Sequence, residues 1–325
     1  MKAIVLTGFG IPESFEEQEM TVPVIKETQV LVEMHASSIN PGDVHLRSGA
    51  ILQGPMRKFF QVQFPYVLGF DVAGIVKAVG NKVHRFKTGD RVMGMVPAGA
   101  YMDYAAVEED HLAAIPESLS FEDAGAVPTV TLTAWQALFE HGKLQHGQRV
   151  LVHGGAGGVG HAAIQLAKQH GAYVITTVRE YNRQFVMDLG ADEVIDYTKD
   201  DLINKISQPV DIVLDTIAEK STFETGLPGK IGDKSYSVLK DDGKYVSIVA
   251  FAIGQSPKVR GIDSVFFQGR PNRADFESIV CKIQDGKFNI HVDGVYPFTA
   301  QGLYQAYRKS EMQPKRGKIV ISKKL

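Results

Sequence analysis

A glycine-rich turn near the middle of the chain constrains the fold more than any other feature. The segment GQRVLVHGGAGGVGHAAIQLAKQHGAYVITTV places Gly155, Gly157 and Gly160 between an apolar, strand-like run and an amphipathic helical run, and a second apolar run follows. Glycine turns also arise for purely structural reasons. Here the strand, helix and second strand favour a dinucleotide site, in which the helix N-terminus attracts a pyrophosphate. The residues predicted to hold the cofactor in this loop are Gly155, Ala156, Gly157, Gly158, Val159 and Gly160.

The end of the second apolar run predicts which dinucleotide binds. Sites selective for NAD place an acid there, which accepts hydrogen bonds from the ribose hydroxyls. This chain instead reads TTVREYNRQF, with Arg179 at that position and Arg183 one turn later. Because a guanidinium binds phosphate through paired hydrogen bonds, the two arginines indicate NADPH, although ordinary surface charge is the alternative.

The chain of 325 residues is long enough for two hydrophobic cores. Up to about residue 120 it shows short β-type runs broken by Gly and Pro, which predict a compact, irregular β domain. From about Phe121 onward, helical runs alternate with apolar strand-like runs, as in a parallel sheet that is covered on both faces. After Gly269 one helix and two strand-like runs follow, and strands in that position suit a return to the first domain.

Composition argues against several classes of protein. The net charge of −2 gives no reason to expect a nucleic-acid partner, and no stretch is apolar for long enough to span a bilayer. We therefore expect a cytoplasmic protein without a membrane partner. Cys281 is the single cysteine, so neither an intrachain disulfide nor a cysteine-based structural zinc site can form. Its helical apolar context, FESIVCKIQDG, predicts a buried core thiol rather than a nucleophile.

A set of motifs in a fixed order carries a family resemblance. The motifs are HASSINPGDVHLRSG, YVLGFDVAGIVKAVG, FKTGDRV, AGGVGHAAIQLAK, LGADEVIDY and RGKIVI. Together they resemble the zinc-free quinone oxidoreductases of the medium-chain dehydrogenase/reductase superfamily, over essentially the whole chain. The resemblance implies an α/β protein with a GroES-like, β-rich catalytic domain and a Rossmann domain with a doubly wound parallel sheet.

The resemblance also implies a division of the chain and an assembly. Residues 1–122 would form the first part of the GroES-like catalytic domain, residues 123–270 the NADP-binding domain, and residues 271–325 the segment that completes the catalytic domain. A homodimer is common in the family, and we expect one here.

Zinc-dependent relatives carry a cysteine before the first core helix and a His-Glu pair in the glycine-rich strand. This chain reads NPGDVH in the first place, and Phe70 and Asp71 replace the pair in the second. Asp43, His45 and Asp71 could in principle bind a metal, but without the thiolate they imitate that site poorly. We predict no metal site.

By the same comparison, Asn40, Asp43 and His45 line the nicotinamide end of the cleft and are the predicted catalytic residues. His45 stands where several quinone reductases have a tyrosine, which leaves the substrate preference open. For the remaining positions, packing or helix capping is the alternative to direct contact with the cofactor. The further residues implied to bind the cofactor are Thr129, Thr133, Tyr197 and Lys318.

The sequence therefore predicts an NADPH-dependent oxidoreductase that transfers hydride to quinones or related activated carbonyl compounds without zinc. An acceptor without a metal to polarise it must already be electron-poor. Two alternatives remain open: a reductase of enones or enoyl thioesters, and a catalytically weak NADPH-binding sensor or structural protein.

Overall fold

A computed structural model of the chain describes residues 1–10, 14–52, 62–312 and 314–324. Among these, one compact unit takes in residues 1–52, 62–132 and 270–324, and a second takes in Thr133–Gly269. The sequence prediction placed the two boundaries after residues 122 and 270.

The strands, in chain order, are β1 Lys2–Leu6, β2 Phe15–Glu19, β3 Gln29–Ser38, β4 Tyr66–Val67, β5 Asp71–Val79, β6 Arg91–Met95, β7 Tyr104–Glu108, β8 Leu112–Ala114, β9 Arg149–His153, β10 Tyr173–Val178, β11 Glu193–Asp196, β12 Val210–Asp215, β13 Leu239–Ser247, β14 Asp263–Phe266, β15 Val292–Pro297 and β16 Lys318–Ser322.

The helices are α1 Pro41–Arg47, α2 Phe121–Ala126, α3 Pro128–Trp135, α4 Gly158–Gln169, α5 Arg183–Asp188, α6 Leu202–Lys205, α7 Lys220–Thr225, α8 Lys230–Val238, α9 Arg273–Gln284 and α10 Ala300–Glu311. A π-helical turn, Gln136–His141, continues α3. Short 3-10 turns lie at Ala50–Leu52, Glu109–His111, Glu180–Asn182 and Ile253–Gln255.

The second unit is built on a six-stranded parallel sheet in the order β11-β10-β9-β12-β13-β14. Its central strands are almost wholly buried, because helices cover both faces of such a sheet and the strands carry β-branched side chains on both sides. The chain order reverses at β9, between β10 and β12. In doubly wound folds, dinucleotides bind at the carboxyl ends of the strands beside this reversal. The predicted parallel sheet is confirmed.

The first unit contains a largely antiparallel sheet in the order β15-β16-β3-β5-β6-β8, with β7 also paired to β3. A smaller sheet, β2-β1-β4, lies in the same unit. The C-terminal strand β16 joins the large sheet as an inner strand, antiparallel to β3, with Val320 opposite Ser38. Segments from both ends of the sequence therefore form one sheet.

Helix α2 packs on the sheet of the first unit. Ser120 caps it by accepting a hydrogen bond from the Asp123 N–H at 3.0 Å. A Cβ atom on Gly125 would lie 3.1 Å from the Cβ of Ala36 in β3, so the helix backbone approaches the strand closely. Residues just after 122 consequently belong with the first unit.

Helix α9 corrects one sequence prediction. Its buried residues are Phe276, Ile279 and Ile283, whose spacing of three and four defines the inner face of the helix. Cys281 lies between them in sequence but on the other side of the helix, and it is exposed rather than buried.

No helix in the described ranges has the length and apolarity that a membrane crossing requires.

Candidate functional site

The glycine loop joins the end of β9 to the start of α4, and its glycines are required by close contacts. A Cβ atom on Gly155 would lie 2.0 Å from the Thr176 hydroxyl oxygen, and one on Gly160 would lie 2.2 Å from the Gly154 carbonyl oxygen. Gly154 itself has a φ of +71°. Gly157 is the N-cap of α4 and contributes no side chain to the helix start. The first N–H groups of the helix therefore stand where a pyrophosphate can accept from them, and the predicted loop residues lie together.

Arg179 and Tyr197 lie side by side, because each is the first residue after one of two paired strands. Val178 at the end of β10 is opposite Asp196 at the end of β11. The Arg179 Nε donates to the Tyr197 hydroxyl oxygen at 2.9 Å. Both side chains are exposed, so the guanidinium is accessible to a phosphate at the carboxyl edge of the sheet.

Arg183 is differently engaged. Its Nε and Nη2 donate to the two carboxylate oxygens of Glu180 at 2.7 and 3.0 Å, and its Nη1 donates to the Val194 carbonyl oxygen at 3.0 Å. The hydrogen bonds from Arg183 to its carboxylate lower the pKa of Glu180. Sequence reasoning missed Glu180, an acid beside Arg179 whose charge Arg183 neutralises.

The second group of predicted residues surrounds the carboxylate of Asp71 in the first unit. Asp71 Oδ2 accepts from the Ser38 hydroxyl at 2.5 Å and from Asn40 Nδ2 at 2.8 Å. Asp71 Oδ1 accepts from the Thr129 N–H at 2.7 Å, just inside the start of α3. Lys318 Nζ lies 3.6 Å from Asp71 Oδ2. We call Ser38, Asn40, Asp71 and Lys318 the buried polar cluster.

Lys318 completes this cluster from β16. Its Nζ donates to the Ile39 carbonyl oxygen at 2.8 Å and to Asn40 Oδ1 at 2.5 Å. Lys318 is 3% exposed and Asp71 is 0% exposed, so the two charges neutralise each other away from water. Burial lowers the pKa of Lys318, against the opposing effect of Asp71. The Lys318 ammonium thus contacts Asn40 and Asp71. The resemblance implied that Lys318 contacts the cofactor, and that contact stays a prediction.

Asp43 belongs to the same neighbourhood but makes its own contacts. Its Oδ2 accepts from the Asn40 N–H at 3.0 Å at the start of α1, and its Oδ1 accepts from the Gly69 N–H at 2.9 Å. The Tyr101 hydroxyl lies 3.5 Å from Oδ2. Burial raises the pKa of Asp43 to about 7, although the two N–H donors act in the opposite direction. Asn40 and Asp43 are therefore brought together as predicted neighbours, with their polar groups held by the fold.

His45 does not join them on the same face. It follows Asp43 by two residues on α1, which rotates its side chain by about 200° around the helix. His45 is partly buried, and burial followed by the charge of Lys315 lowers its pKa. Burial therefore favours the neutral imidazole, and the side chain lies on the side of α1 away from that of Asp43.

Thr133 lies one turn beyond Thr129 on α3 and is 5% exposed. A Cβ atom on Gly269 would lie 2.2 Å from the Thr133 hydroxyl oxygen, so the Thr133 side chain packs closely on that backbone. Packing therefore accounts for its position, and its predicted contact with the cofactor stays a prediction.

The side chains compared with a metal site are arranged for other bonds. The Asp71 carboxylate accepts three hydrogen bonds and pairs with the Lys318 ammonium, and Asp43 accepts two from the backbone. The ring of Phe70, at the position of the metal-binding histidine, lies against Gly42. Within the described ranges, no group of three or more His, Cys, Asp or Glu side chains could hold a metal ion.

Two family comparisons match separate parts of the chain. The alcohol dehydrogenase GroES-like domain matches residues 26–117, and the zinc-binding dehydrogenase family matches residues 189–321. The quinone oxidoreductase of Mus musculus is 36% identical over 68% of this chain and 68% of its own length. The 2-methylene-furan-3-one reductase of Solanum lycopersicum is 32% identical over 99% of this chain and 79% of its own.

Solved structures agree over the whole chain. The quinone oxidoreductase from Coxiella burnetii superposes with a TM-score of 0.88, with 32% identity and 99% of each chain covered. The Escherichia coli quinone oxidoreductase complexed with NADPH superposes with a TM-score of 0.82 at 25% identity, with 99% of this chain and 100% of that chain covered. The predicted GroES-like and Rossmann domains are confirmed by these matches.

Proposed function

Because the chain belongs to the quinone oxidoreductase family of the medium-chain dehydrogenase/reductase superfamily, we propose that it transfers hydride from NADPH to quinones, without a catalytic zinc ion. Oxidoreductase chemistry follows from the family itself. The cofactor and the acceptor are the proposed parts. The observation that carries the proposal is the pair formed by the glycine loop and the exposed Arg179–Tyr197 contact at one edge of the parallel sheet.

The chemistry of Arg179 supports NADPH over NADH. Its guanidinium is held by a neutral hydroxyl, which leaves its charge for the 2′-phosphate of the adenosine ribose. The Escherichia coli relative was solved with NADPH. Arg183 can contribute only in competition with Glu180, so we assign the first contact with this phosphate to Arg179 and a supporting contact to Tyr197.

Phe70 and Asp71 stand where zinc-dependent relatives have their His-Glu pair. This difference supports a substrate that is electron-poor enough to accept hydride without a metal. NADPH supplies the hydride when bound, and a quinone accepts it without a Lewis acid because its ring is already electron-poor. In this chain a phenylalanine, Phe70, replaces the metal-binding histidine, and the single cysteine, Cys281, is far from α1 in sequence. Lys318 holds the charge of Asp71, which in turn fixes Asn40.

His45 is the proposed group nearest the acceptor. Its lowered pKa keeps the ring neutral at pH 7, so it can donate one hydrogen bond to the developing oxyanion. Asn40 and Asp43, which do not share a face of α1 with His45, are proposed to serve the same end of the site indirectly. Their side chains act by holding the start of α1, since their polar groups are engaged within the first unit.

One observation favours a second candidate. The furanone reductase of Solanum lycopersicum aligns with 99% of this chain, and its substrate is an activated enone by name. Reduction of an enone uses the same donor and also needs no metal, but hydride then adds to carbon. The shape and polarity of the acceptor site determine whether a quinone or an enone is preferred, and relative turnover rates with the two classes measure that preference.

The test measures loss of NADPH absorbance with a panel of quinones and enones at equal concentration. The proposal expects faster turnover with quinones, while turnover of enones alone would favour the second candidate. For the cofactor, titration should give at least tenfold tighter binding of NADPH than of NADH. Equal affinities of the unmodified protein for the two would overturn the assignment of NADPH.

Variants identify the phosphate contact. Arg179→Gln should weaken NADPH by roughly tenfold to a hundredfold and leave NADH unchanged. The matched control is Lys220→Gln, an exposed cation of the same unit, which should change neither affinity. The double variant E180Q/R183Q removes the competing ion pair without changing net charge. It should weaken NADPH less than Arg179→Gln does.

Two expectations about the whole protein also stay proposals. We propose a homodimer, which light scattering after size-exclusion chromatography would measure as a mass of twice 35.6 kDa. We propose a cytoplasmic location, which fractionation of the source cells would test.

A further inference from the structure

A buried histidine stands directly before the glycine loop. His153 is the last residue of β9 and is 1% exposed. Its Nδ1 lies 3.1 Å from the Thr177 hydroxyl oxygen, and its Nε2 lies 2.7 Å from the Ser235 hydroxyl oxygen. The ring thus connects β9 to the neighbouring strand β10 and to helix α8, all within the second unit.

The hydrogen-bond partners determine which nitrogen carries the proton. The Ser235 hydroxyl donates its single hydrogen to the Ile231 carbonyl oxygen at 2.6 Å, so toward His153 it can only accept. Nε2 is therefore protonated. Burial lowers the pKa of His153 to about 4, so the ring is neutral and carries one hydrogen. Nδ1 must then accept, and the Thr177 hydroxyl donates to it.

The hydrogen bonds continue from Thr177 into the glycine loop. Because the Thr177 hydroxyl hydrogen points to His153, its oxygen lone pairs are available to the Gly154 N–H at 3.3 Å. The Thr177 carbonyl oxygen accepts from the Gly155 N–H, also at 3.3 Å. On the other side of β9, the Thr216 hydroxyl donates to the His153 carbonyl oxygen at 2.7 Å. The first two loop residues are thus fixed through Thr177.

We propose that His153 is a positioning residue for the dinucleotide loop: its Nδ1 lone pair orients the Thr177 hydroxyl, which then receives the Gly154 N–H and holds the loop in its pyrophosphate-binding shape. The proposal rests on the proposed NADPH site. Gly154 has a positive φ, and a hydrogen bond from its N–H to a fixed acceptor stabilises the loop in this conformation. A role in core stability alone is the competing explanation.

Substitution by asparagine or glutamine separates the two hydrogen bonds of His153, that of Nδ1 with Thr177 and that of Nε2 with Ser235. The Asn side-chain oxygen reaches the place of Nδ1, so His153→Asn keeps an acceptor for Thr177 and loses the donor to Ser235. The Gln side-chain nitrogen reaches the place of Nε2, so His153→Gln keeps the donor and loses the acceptor. Ser235→Ala is the control for the bond to α8, because it removes the Ser235 hydroxyl and leaves the His153 ring and the Thr177 hydroxyl in place.

Two measurements are made on each variant: the dissociation constant of NADPH by nicotinamide fluorescence, and the hydrogen-exchange rate of the loop amides at residues 154 and 155 without ligand. His153→Gln should weaken NADPH by about fivefold or more and speed exchange of the loop amides by a similar factor. His153→Asn and Ser235→Ala should stay within about twofold of the unmodified protein in both, even where they lower the melting temperature equally.

Thr177→Val keeps the test decisive if a histidine variant folds poorly. It should reproduce the effect of His153→Gln, and the double variant should be no weaker in NADPH binding than either single one, since both break one chain of hydrogen bonds. The proposal is overturned if affinity follows melting temperature across all variants, or if the Asn and Gln variants exchange at the same rate. If the unmodified protein binds no dinucleotide, the proposed function is refuted. The hydrogen-exchange rates of the amides at residues 154 and 155 would still test whether His153 orders the loop.

Discussion

Replacing Lys318 by methionine tests whether the buried polar cluster stabilises the first unit as one assembly. Methionine has nearly the length of lysine and no charge, so the change leaves the Asp71 carboxylate buried without its counter-ion. The Ile39 carbonyl oxygen and Asn40 Oδ1 lose their donor as well. Removal of one partner from a buried ion pair costs about 3–5 kcal/mol.

The structure places the expected cost at the lower end of that range. Asp71 keeps hydrogen bonds from Ser38, Asn40 and the Thr129 N–H, which partly compensate its charge. We therefore expect about 3 kcal/mol of lost stability. For a unit of this size, that loss lowers the melting temperature by about 6–12 °C. Lys318→Met combined with Asp71→Asn should recover at least about 1 kcal/mol relative to Lys318→Met alone, because no charge is left unpaired.

The assay follows thermal unfolding by far-ultraviolet circular dichroism, which reports both units. Trp135 is the single tryptophan and lies in the second unit, so its fluorescence serves as an internal comparison. The dichroism transition should move and the fluorescence transition should move less. A loss below about 1 kcal/mol, or a double variant as unstable as the sum of the single ones, would refute the coupling.

Four further predictions concern stability and activity. His153 has a pKa of about 4 in the folded state against 6.5 unfolded, so its contribution of about 3 kcal/mol is present above pH 6.5 and is lost as pH falls to 4; difference curves against His153→Asn by chemical denaturation should show this slope. Gly160→Ala forces a Cβ atom onto the Gly154 carbonyl oxygen and should weaken NADPH by more than about tenfold in a fluorescence titration. Gly254→Ala, which meets no atom within 4 Å, should leave that affinity unchanged. Exhaustive chelation should leave the rate of NADPH oxidation the same, and a loss restored by zinc would contradict the proposed reaction without a metal. His45→Ala should lower kcat by more than it raises the dissociation constant of NADPH, whereas a change in melting temperature alone would make His45 structural.

Local patterns made the second unit predictable. The glycine spacing, the apolar strands and the helix after Gly157 are read within a few turns of one another, and the parallel sheet follows from their alternation. Arg179 and Tyr197 were also predicted one by one, but their mutual contact depends on the pairing of β10 with β11, which sequence spacing does not encode.

The first unit was less predictable because its important contacts join distant segments. Lys318 meets Asp71 through the pairing of β16 with β3 and of β3 with β5, and no local pattern near either residue indicates it. Cys281 shows the other kind of error. Apolar neighbours at roughly helical spacing suggested burial, yet the inner face of α9 passes through Phe276, Ile279 and Ile283 and excludes position 281.

The place of β16 has a consequence for biosynthesis. This strand lies between β15 and β3, so an inner position of the large sheet stays empty until residues 318–322 have left the ribosome. The parallel sheet, in contrast, has all its strands by Phe266. During translation the dinucleotide-binding unit can therefore fold first, while the Ala36–Ser38 end of β3, beyond its pairing with β7, stays exposed until β16 is made.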